Sequence, residues 1–561
     1  MSRPLLQAAT AKTTDWVCMR CAMRKAFRTT GRPQPKRNFH VTRRNHEAQK
    51  DKSVLALLEE RGYVNQIAGD RITLDKLLRR RQVGFYAGID PTAPSLHLGH
   101  LLPLMVLFWL YHHGHKAVSL VGGFTARVGD PSGRLTSRAE AVESVHDSNF
   151  SAMFSQLAGI WENAASYGKR HGFTEQDAGH RELLDNASWL GNLQLGDFLQ
   201  ILGHRTRIGP MLGRDTVRNK LEKGDGMTFS EFTYPLLQGW DWWHMYQHND
   251  VQVQIGGSDQ FGNIIAGMDV IKYIAQGGSP SKQQQKLLDK DGKLKDDLAP
   301  MGLTVPLLTA ASGEKFGKSA GNAVWLDQSM TSAFDLYGFL LRSSDTDVER
   351  YLKLFTFVPS ADIANIMAEH ITDPGKRKAQ HLLAGEVLEL VHGQDVAKET
   401  RIQHESLRNP SLLARATLDE AGSMTKHSAS PSSNAIILPA SLVYGMPFSR
   451  ILYHSGLVGS KSAGTRLIAT GGAYIAGQNE PLHQEGRILG WEEEREQHYI
   501  PLRVDQNPED VKYFGRNEGH MTLRIGKWKV RGLTIVEDAE FDARGLQAAG
   551  WEEFKEKVLK K

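Results

Sequence analysis

The chain has 561 residues, of which 40% are apolar and 23% are charged, and its formal net charge is +5. One hydrophobic core rarely serves more than about 250–300 residues, so this length predicts several domains. The apolar runs fall well short of the roughly 20 residues that a membrane-spanning helix needs, which excludes an integral membrane protein and predicts no membrane partner.

Residues 1–39 differ in composition from the rest of the chain. They hold nine lysines and arginines and one acidic residue, Asp15. An arginine-rich, acid-poor N-terminus is typical of a mitochondrial transit peptide, and a disordered basic arm that binds RNA is the alternative. Without this segment the chain has 59 basic and 62 acidic residues and a net charge of −3. RNA binding by the remainder therefore depends on local basic patches.

The only cysteines, Cys18 and Cys21, form one CxxC pair inside the same segment. A structural zinc site needs four ligands, and neither a second CxxC nor a histidine pair follows nearby. We therefore predict no metal site in the chain.

After the leader, residues 40–82 predict a helical N-terminal extension, with amphipathic stretches at Val54–Gly62 and Leu74–Arg81. Between residues 83 and 330, helical stretches alternate with apolar runs typical of buried strands. These strand-like runs are Val83–Ile89, Ala117–Val121, Val251–Ile255 and Leu303–Leu308. The alternation predicts an α/β fold with a parallel sheet and right-handed crossovers.

The remainder of the chain changes character several times. Residues 331–410 are rich in Ala, Leu, Glu and Lys and predict an α-helical domain. Residues 411–439 contain Pro, Ser and Gly and predict a linker. Residues 440–540 predict a small α+β domain with a closing strand near 523–529, and residues 541–561 predict an exposed C-terminal tail.

Two short motifs, His97–His100 (HLGH) and Lys315–Ser319 (KFGKS), lie about 215 residues apart. The first follows a predicted strand and turn and opens an apolar helix, whose free N–H groups and dipole favour anions. The second lies in a Gly-rich loop, from which lysines can close over phosphates. Alone, each motif is also compatible with a capped helix or an exposed lysine loop. Together and in this order they predict a polyphosphate site.

In their order and spacing, these motifs resemble the HIGH and KMSKS signatures of class I aminoacyl-tRNA synthetases. Residues between them resemble the tyrosyl-tRNA synthetase pocket, and the specific motifs cover residues 55–330. The resemblance implies a Rossmann-like parallel-sheet catalytic domain at 83–330, with an insertion at about 277–300. It also implies an α-helical anticodon-binding domain at 331–410 and an S4-like RNA-binding domain at 440–540.

The same resemblance implies an ATP-dependent, AMP-forming tyrosine–tRNA ligase of bacterial type. Its substrates are then L-tyrosine, ATP accompanied by Mg²⁺, and tRNA(Tyr) in the mitochondrial matrix, and the family implies a homodimer. Tyrosine activation is attack of a carboxylate on the α-phosphorus of ATP. Catalysis of such a step is mainly positioning and electrostatic stabilisation.

Three polar side chains, Tyr234, Gln238 and Asp241, recur at i, i+4 and i+7 of a predicted helix and therefore share one face. A partly buried core face with tolerated polar groups is the alternative. The resemblance implies that Tyr234 and Gln238 bind the substrate amino group with Asp130. It also implies that Asp241 and Tyr86 share the substrate hydroxyl, which rejects phenylalanine because both groups would stay unpaired. The implied tyrosine pocket comprises Tyr86, Asp130, Tyr234, Gln238, Asp241 and Gln254.

The resemblance also assigns the residues that act on ATP. The implied catalytic residues are Thr92, His97, His100, Lys315 and Lys318. The implied ATP-binding residues are Gly88, Asp90, Gly99, Gly257, Asp259, Gln260 and Lys318. Arg134 and Arg138 are phosphate-loop candidates, although bacterial members tend to have lysine where Arg134 stands.

Basic side chains in two regions are candidates for contact with tRNA. Those of the S4-like domain are Lys461, Arg466, Lys527 and Lys529. Candidates for acceptor-stem contact, with a solvated helix face as the alternative, are Arg214, Arg218, Lys220 and Lys223.

Two rival functions remain open at this point. A tryptophanyl-tRNA synthetase shares the fold, but it does not need a hydroxyl-reading pair. A structural RNA-binding or splicing protein derived from a synthetase is the rival from another class. Some fungal mitochondrial members assist group I intron splicing through an N-terminal helix and insertions, and the candidate pieces here are Val54–Gly62, 276–301 and 479–520. Group I intron RNA is therefore an additional candidate partner.

Overall fold

The computed structural model describes residues 52–137, 142–277, 282–308, 323–406, 435–477, 498–510, 520–526 and 529–559. Several predicted features lie outside these ranges. They are the leader 1–39 with its cysteines, Arg138, Lys315, Lys318, Lys527, and most of the linker and of residues 479–520.

A six-stranded sheet forms the centre of the N-terminal half. Its strands are β1 (Gln66–Ala68), β2 (Gly84–Ile89), β3 (Lys116–Val121), β4 (Arg181–Asp185), β5 (Val251–Gly257) and β6 (Met301–Val305). Their order is β1-β6-β5-β2-β3-β4. All pairs are parallel except β1 with β6. The predicted parallel α/β fold is confirmed.

The strand order reverses between β2 and β5. From β2 the chain proceeds outward to β3 and β4, whereas from β5 it proceeds the other way to β6. In open parallel sheets, the crevice at the carboxyl ends of the strands beside such a switch point is where ligands bind. The fold therefore places the segments that follow Ile89 and Gly257 on either side of one crevice.

Helices cover both faces of this sheet. They are α1 (Val54–Arg61), α2 (Arg71–Arg80), α3 (Leu101–His112), α4 (Glu143–Arg170), α5 (Ala187–Leu190), α6 (Leu195–Phe198), α7 (Ile208–Leu212), α8 (Asp215–Lys223), α9 (Phe229–His248), α10 (Phe261–Ala275) and α11 (Lys282–Gln285). The α3 helix is buried along nearly its whole length, which explains its continuous apolar sequence. The α9 helix begins with a capping box in which Thr228 and Glu231 satisfy each other's backbone N–H groups.

Both helices predicted within residues 40–82 are present, as α1 and α2. Within the described part, β1 adds a strand to the sheet edge, and α1 packs into the same core as the sheet. Arg61, at the end of α1, is fully buried. It donates hydrogen bonds to the carbonyls of Val358, Thr356 and Lys353 at the end of a helix in the next domain.

The predicted helical domain is present. Its helices are α12 (Ala333–Leu341), α13 (Val348–Phe355), α14 (Ser360–Thr372), α15 (Lys378–His392) and α16 (Gln394–Ser406). Its apolar residues join those of α1, α3 and α4 in one cluster, so this domain is packed firmly against the first. A buried ionic group reinforces the contact, because Glu386 of α15 accepts hydrogen bonds from Tyr167 and Arg170 of α4.

The C-terminal domain is built on a five-stranded sheet. Its strands are β7 (Ala435–Pro439), β8 (Ala473–Gly477), β9 (His498–Pro501), β10 (His520–Ile525) and β11 (Lys529–Val536), in the order β7-β11-β10-β8-β9. Its helices are α17 (Phe448–His454), α18 (Lys461–Ala469), α19 (Asp538–Ala543) and α20 (Trp551–Leu559).

Three details of the sequence prediction for this domain were wrong. The domain begins at β7, before residue 440, because β7 pairs with β11. The stretch 523–529 spans the end of one strand and the beginning of the next, not one closing strand. The residues after 541 are not a free tail, since Trp551 packs with Phe541 and Leu442 in a buried cluster.

Two further observations concern loops and helices. Residues 282–300, within the predicted insertion, are tied to the domain, as Gln252 donates hydrogen bonds to the carbonyls of Asp297 and Ala299.

Among the helices of the described ranges, none combines the length and apolarity required to cross a membrane.

Candidate active site

The first motif lies at the carboxyl end of β2, at the start of α3. The rings of His97 and His100 stack with centroids 3.8 Å apart. The Nδ1 atom of His100 accepts a hydrogen bond from the His97 backbone N–H at 3.1 Å. Burial, together with the neighbouring charge of His97, holds the pKa of His100 well below its usual value. A neutral His100 whose Nδ1 is an acceptor carries its proton on Nε2 and can donate it to a ligand.

The segment that begins at residue 323 forms backbone hydrogen bonds with this motif. The Leu98 N–H donates to the Val324 carbonyl at 2.9 Å, and the Leu326 N–H donates to the Leu96 carbonyl at 2.9 Å. These bonds place Trp325 opposite His97. The second motif, with Lys315 and Lys318, lies outside the described residues, and the described chain resumes at residue 323.

Asp90, one residue beyond β2, is held by two hydroxyl groups. Tyr234 donates to its Oδ2 at 2.8 Å, and Thr125 donates to its Oδ1 at 2.8 Å. Burial and the Asp90 carboxylate raise the pKa of Tyr234 well above its usual value, so this phenol remains a donor. The backbone comes very close here, because a Cβ on Gly122 would lie 2.0 Å from the Asp90 carboxylate. The helix residue Tyr234 and the strand-end residue Asp90 therefore belong to one network.

A second polar network joins the three segments around Asp130. Gln260 donates to Asp130 at 2.7 Å, and Asn263 donates to Gln238 at 3.0 Å and to Ser132 at 3.1 Å. The structure thus brings together the predicted residues Asp130, Gln238 and Gln260. Asn263, one turn into α10, was missed from the sequence because it belongs to none of the quoted motifs.

Asp241 lies at the bottom of the crevice, on the same face of α9 as Tyr234. It is 2% exposed, and its two oxygens accept hydrogen bonds from Asn186 at 2.9 Å and from Trp189 at 2.7 Å. Burial raises the pKa of Asp241 to about 7, against the opposing effect of these two donors. Asn186 and Trp189 were missed, although the polar segment that follows β4 was a signal that could have identified them.

Two polar atoms of the paired strand residues Tyr86 and Gln254 have no partner in the described structure. Within the described ranges, neither the hydroxyl of Tyr86 nor the amide oxygen of Gln254 forms a hydrogen bond, and both atoms are buried. Tyr86 and Asp241 are not bonded to each other, although both line the predicted pocket. Buried polar atoms are nearly always paired, so orphaned ones at a sheet crevice indicate a place for a polar ligand group.

The turn after β5 comes close to the loop that carries Asp130. A Cβ on Gly257 would lie 2.6 Å from the Asp259 carboxylate, and one on Gly133 would lie 3.3 Å from it. Gly133 also has a φ of +69°, which favours glycine. The glycines on both loops therefore let Asp259 approach the loop that carries Asp130 and Arg134. Gly88, a further predicted ATP-binding residue, is exposed at the end of β2.

The remaining predicted site residues fall into two groups. Thr92 precedes the histidines and Gly99 lies between them, and both are partly exposed. Lys461 and Arg466 are exposed on α18, whereas only the backbone of Lys529 is described, as the first residue of β11.

The prediction that Lys220 contacts tRNA was wrong. Its side chain is 0% exposed and is paired with Glu231, and it donates to the Ser137 hydroxyl at 2.9 Å. Arg218 and Lys223 are exposed on the same helix. The buried Lys220 instead joins α8 to α9 and to the end of the Asp130 loop.

Comparison with known proteins identifies the class. Residues 78–408 match the family of class I tRNA synthetases (W and Y), and residues 426–553 match the tyrosyl-tRNA synthetase C-terminal domain. Because the first match covers more than half of the chain, the chain belongs to the class I tRNA synthetases.

Individual relatives narrow this assignment. The mitochondrial tyrosine–tRNA ligase of Podospora anserina is 43% identical over 500 residues, covering 88% of this chain and 76% of the relative. The human mitochondrial enzyme is 36% identical over 428 residues, covering 75% and 83%. A C-terminally truncated mitochondrial tyrosyl-tRNA synthetase from Aspergillus nidulans has 45% identity and a TM-score of 0.59, covering 65% of this chain and 97% of that one. Within its class, the chain belongs to the mitochondrial tyrosine–tRNA ligases.

Proposed function

We propose that this chain activates L-tyrosine with ATP and transfers it to tRNA(Tyr) in the mitochondrial matrix. The observation that supports this proposal best is the pair of orphaned buried atoms on Tyr86 and Gln254, which are paired residues of the neighbouring strands β2 and β5. Burial raises the pKa of Tyr86, and Tyr86 is also close enough to Asp241 for that charge to raise it further. A substrate phenol there can donate to the Asp241 carboxylate and accept from Tyr86. Tryptophan and phenylalanine have no hydroxyl for this place.

In the first step, the tyrosine carboxylate attacks the α-phosphorus of ATP, and pyrophosphate leaves. Asp130, Tyr234 and Gln238 surround the position of the substrate ammonium group. Each is already held by a neighbouring side chain, because Tyr234 donates to Asp90, Gln260 donates to Asp130 and Asn263 donates to Gln238. His100, neutral and able to donate from Nε2, stands with His97 and Thr92 at a helix N-terminus, where phosphate charge is stabilised. Lys315 and Lys318 supply further positive charge.

The nucleotide occupies the other side of the crevice. Gly88, Asp90 and Gly99 line the β2 side, and Gly257, Asp259 and Gln260 line the β5 side. In the second step, a ribose hydroxyl of the terminal adenosine of tRNA attacks the tyrosyl carbonyl, and AMP leaves. Lys461, Arg466, Lys527 and Lys529 are the proposed contacts of the C-terminal domain with tRNA.

Magnesium is expected to arrive on the phosphates of ATP. The described ranges contain no group of three or more His, Cys, Asp or Glu side chains that could hold a metal ion. We therefore assign the ion to the substrate and route no step through a protein-bound metal.

The experiment that tests the activity is amino-acid-dependent exchange of labelled pyrophosphate into ATP. Exchange with tyrosine, and not with tryptophan or phenylalanine, is the expected result. Lys318→Ala should slow this exchange by orders of magnitude while leaving tyrosine affinity nearly unchanged. Exchange with tryptophan, or none with any of the three amino acids, would refute the proposal.

We also propose a homodimer, on the basis of an exposed apolar surface. Phe229 at the start of α9 is 77% exposed, and other large apolar side chains of the same stretch of chain share this exposure. They are Leu195, Leu199, Ile208, Leu212 and Leu221. Such a concentration of exposed apolar groups is typical of an interface.

Sedimentation of variants tests the dimer. Phe229→Asp should convert the dimer to a monomer, because a buried unpaired carboxylate is costly at an apolar interface. Ile371→Asp is the matched control, since Ile371 is 72% exposed on α14, outside this stretch. Unchanged sedimentation of Phe229→Asp would place the interface elsewhere.

The matrix location rests on the composition of residues 1–39. Deletion of this segment should abolish import into isolated mitochondria while pyrophosphate exchange persists. An additional role on group I intron RNA is a separate proposal. Its first candidate piece, α1, has Val54, Leu55, Leu57, Leu58 and Arg61 buried in the core, so little of this helix is available to RNA.

A further inference from the structure

The C-terminal sheet carries an arginine held between two tyrosine rings. Arg524 on β10 lies opposite Tyr474 on β8, and Tyr499 comes from the adjacent β9. The Cζ atom of Arg524 lies 4.3 Å from the ring centroid of Tyr474 and 4.1 Å from that of Tyr499. Both distances fall within the roughly 6 Å of a cation–π contact. The two rings therefore hold the guanidinium in place.

This triad, Arg524 with Tyr474 and Tyr499, lies on the sheet face away from the domain core. Leu523 and Ile475, the strand neighbours of Arg524 and Tyr474, are buried in the core cluster with residues of α17 and α18. Successive side chains of a strand point to opposite faces, so the triad points the other way. It is therefore separate from the α18 residues Lys461 and Arg466.

The polar edge of the triad lacks partners. In the part of the chain that the structure describes, the side chain of Arg524 has no hydrogen bond or ion pair, and its Nε is buried without a partner. The buried hydroxyl of Tyr499 is likewise unpaired. A guanidinium has five N–H donors in a fixed planar fork, and the Arg524 side chain is only partly buried, so a ligand can reach it. The arrangement fits an anion with several acceptor oxygens.

We propose that this triad binds a phosphate group of RNA. A phosphodiester offers two oxygens to the guanidinium fork, and bidentate arginine–phosphate pairs are strong and geometrically specific. The Tyr499 hydroxyl can add a further donor. The choice of RNA over free phosphate rests on the proposed function, because a tRNA ligase must hold RNA. The site adds a second RNA-contacting face to this domain.

Binding of a tRNA(Tyr) transcript to the full chain, measured by filter binding across a salt series, tests the inference. Arg524→Met should weaken binding about tenfold and reduce the slope of log affinity against log salt by about one. The matched control is Arg503→Met, which removes an exposed arginine of the same domain and should change affinity less than twofold. Tyrosine-dependent pyrophosphate exchange needs no RNA and should be unchanged in both variants.

Equal affinity of Arg524→Met and the parent chain would overturn the inference. If Arg524→Met also loses pyrophosphate exchange, Arg524→Lys decides, because it keeps the charge but loses the planar fork and should still weaken binding. Inorganic phosphate and oligouridylate can each be added as competitors of the transcript. If millimolar inorganic phosphate competes as effectively as oligouridylate, the triad is a site for free phosphate, contrary to the proposal. If the parent chain shows no tyrosine-dependent exchange but its RNA binding depends on Arg524, the proposed activity fails and this inference stands.

Discussion

The unpaired hydroxyl of Tyr86 makes a prediction in which stability and activity change in opposite directions. The side chain is 1% exposed, and its oxygen is buried without a hydrogen-bond partner in the described structure. Burying a polar group unpaired costs about 1–3 kcal/mol. Tyr86→Phe removes this cost and keeps the ring, so the free protein should become more stable by up to that amount.

The same substitution should impair tyrosine use. A neutral hydrogen bond contributes about 0.5–1.5 kcal/mol net, so kcat/KM for tyrosine should fall about 2- to 13-fold. Phenylalanine cannot form this bond, so its much slower reaction should not fall. The measurements are the free energy of unfolding in denaturant and pyrophosphate exchange with each amino acid.

Tyr167→Phe is the matched control. The Tyr167 hydroxyl donates to Glu386 at 2.7 Å and accepts from the Phe357 N–H at 3.2 Å, so its loss leaves the buried Phe357 N–H unpaired and removes one of the donors to Glu386. This variant should lose stability and keep its selectivity for tyrosine. The reasoning would be refuted if Tyr86→Phe were destabilised like the control, or if its rates with tyrosine and phenylalanine fell equally.

Further predictions concern Asp241, Lys220 and Gly122. Because burial raises the pKa of Asp241 to about 7, protonation should weaken tyrosine binding below that pH, by up to about tenfold per unit, as a pH series of KM would detect. The folded-state pKa lies above the unfolded one, so ionisation of Asp241 also lowers stability as the pH rises from about 4 to 7. Lys220→Met should lower the free energy of unfolding in denaturant by about 3–5 kcal/mol, because it leaves the buried Glu231 carboxylate without its counter-charge. Lys223→Met, which removes an exposed lysine of the same helix, should change this free energy by almost nothing. Gly122→Ala should abolish pyrophosphate exchange in a folded protein, since its Cβ would displace the Asp90 carboxylate; normal exchange would contradict this.

The sequence was most informative where a function depends on local periodicity. The 3.6-residue repeat placed Tyr234, Gln238 and Asp241 on one face of α9, and the structure confirms that they share it. Strand positions β2, β3 and β5 were also predicted to within two residues, because buried parallel strands are continuous apolar runs.

Features that depend on partners distant in the sequence could not be predicted in the same way. The carboxylate of Asp241 is held by Asn186 and Trp189, which lie more than 50 residues earlier in the chain. Lys220 has exposed basic neighbours on its helix, and only the position of Glu231 on α9 makes its burial possible. The three-residue strand β1 is too short to have a period, and it exists because β6 offers a free edge.

The position of α1 limits where a transit peptide can end. Ser53 caps this helix by accepting a hydrogen bond from the Ala56 N–H, and Arg61 at the other end donates to three carbonyls of the helical domain. Loss of a serine cap alone costs about 0.5–2 kcal/mol. Loss of the helix would also expose the apolar core and leave those carbonyls unpaired. Processing after Ser53 would therefore damage the catalytic fold, so a cleavage site compatible with activity must lie before it, as the predicted end at residue 39 does.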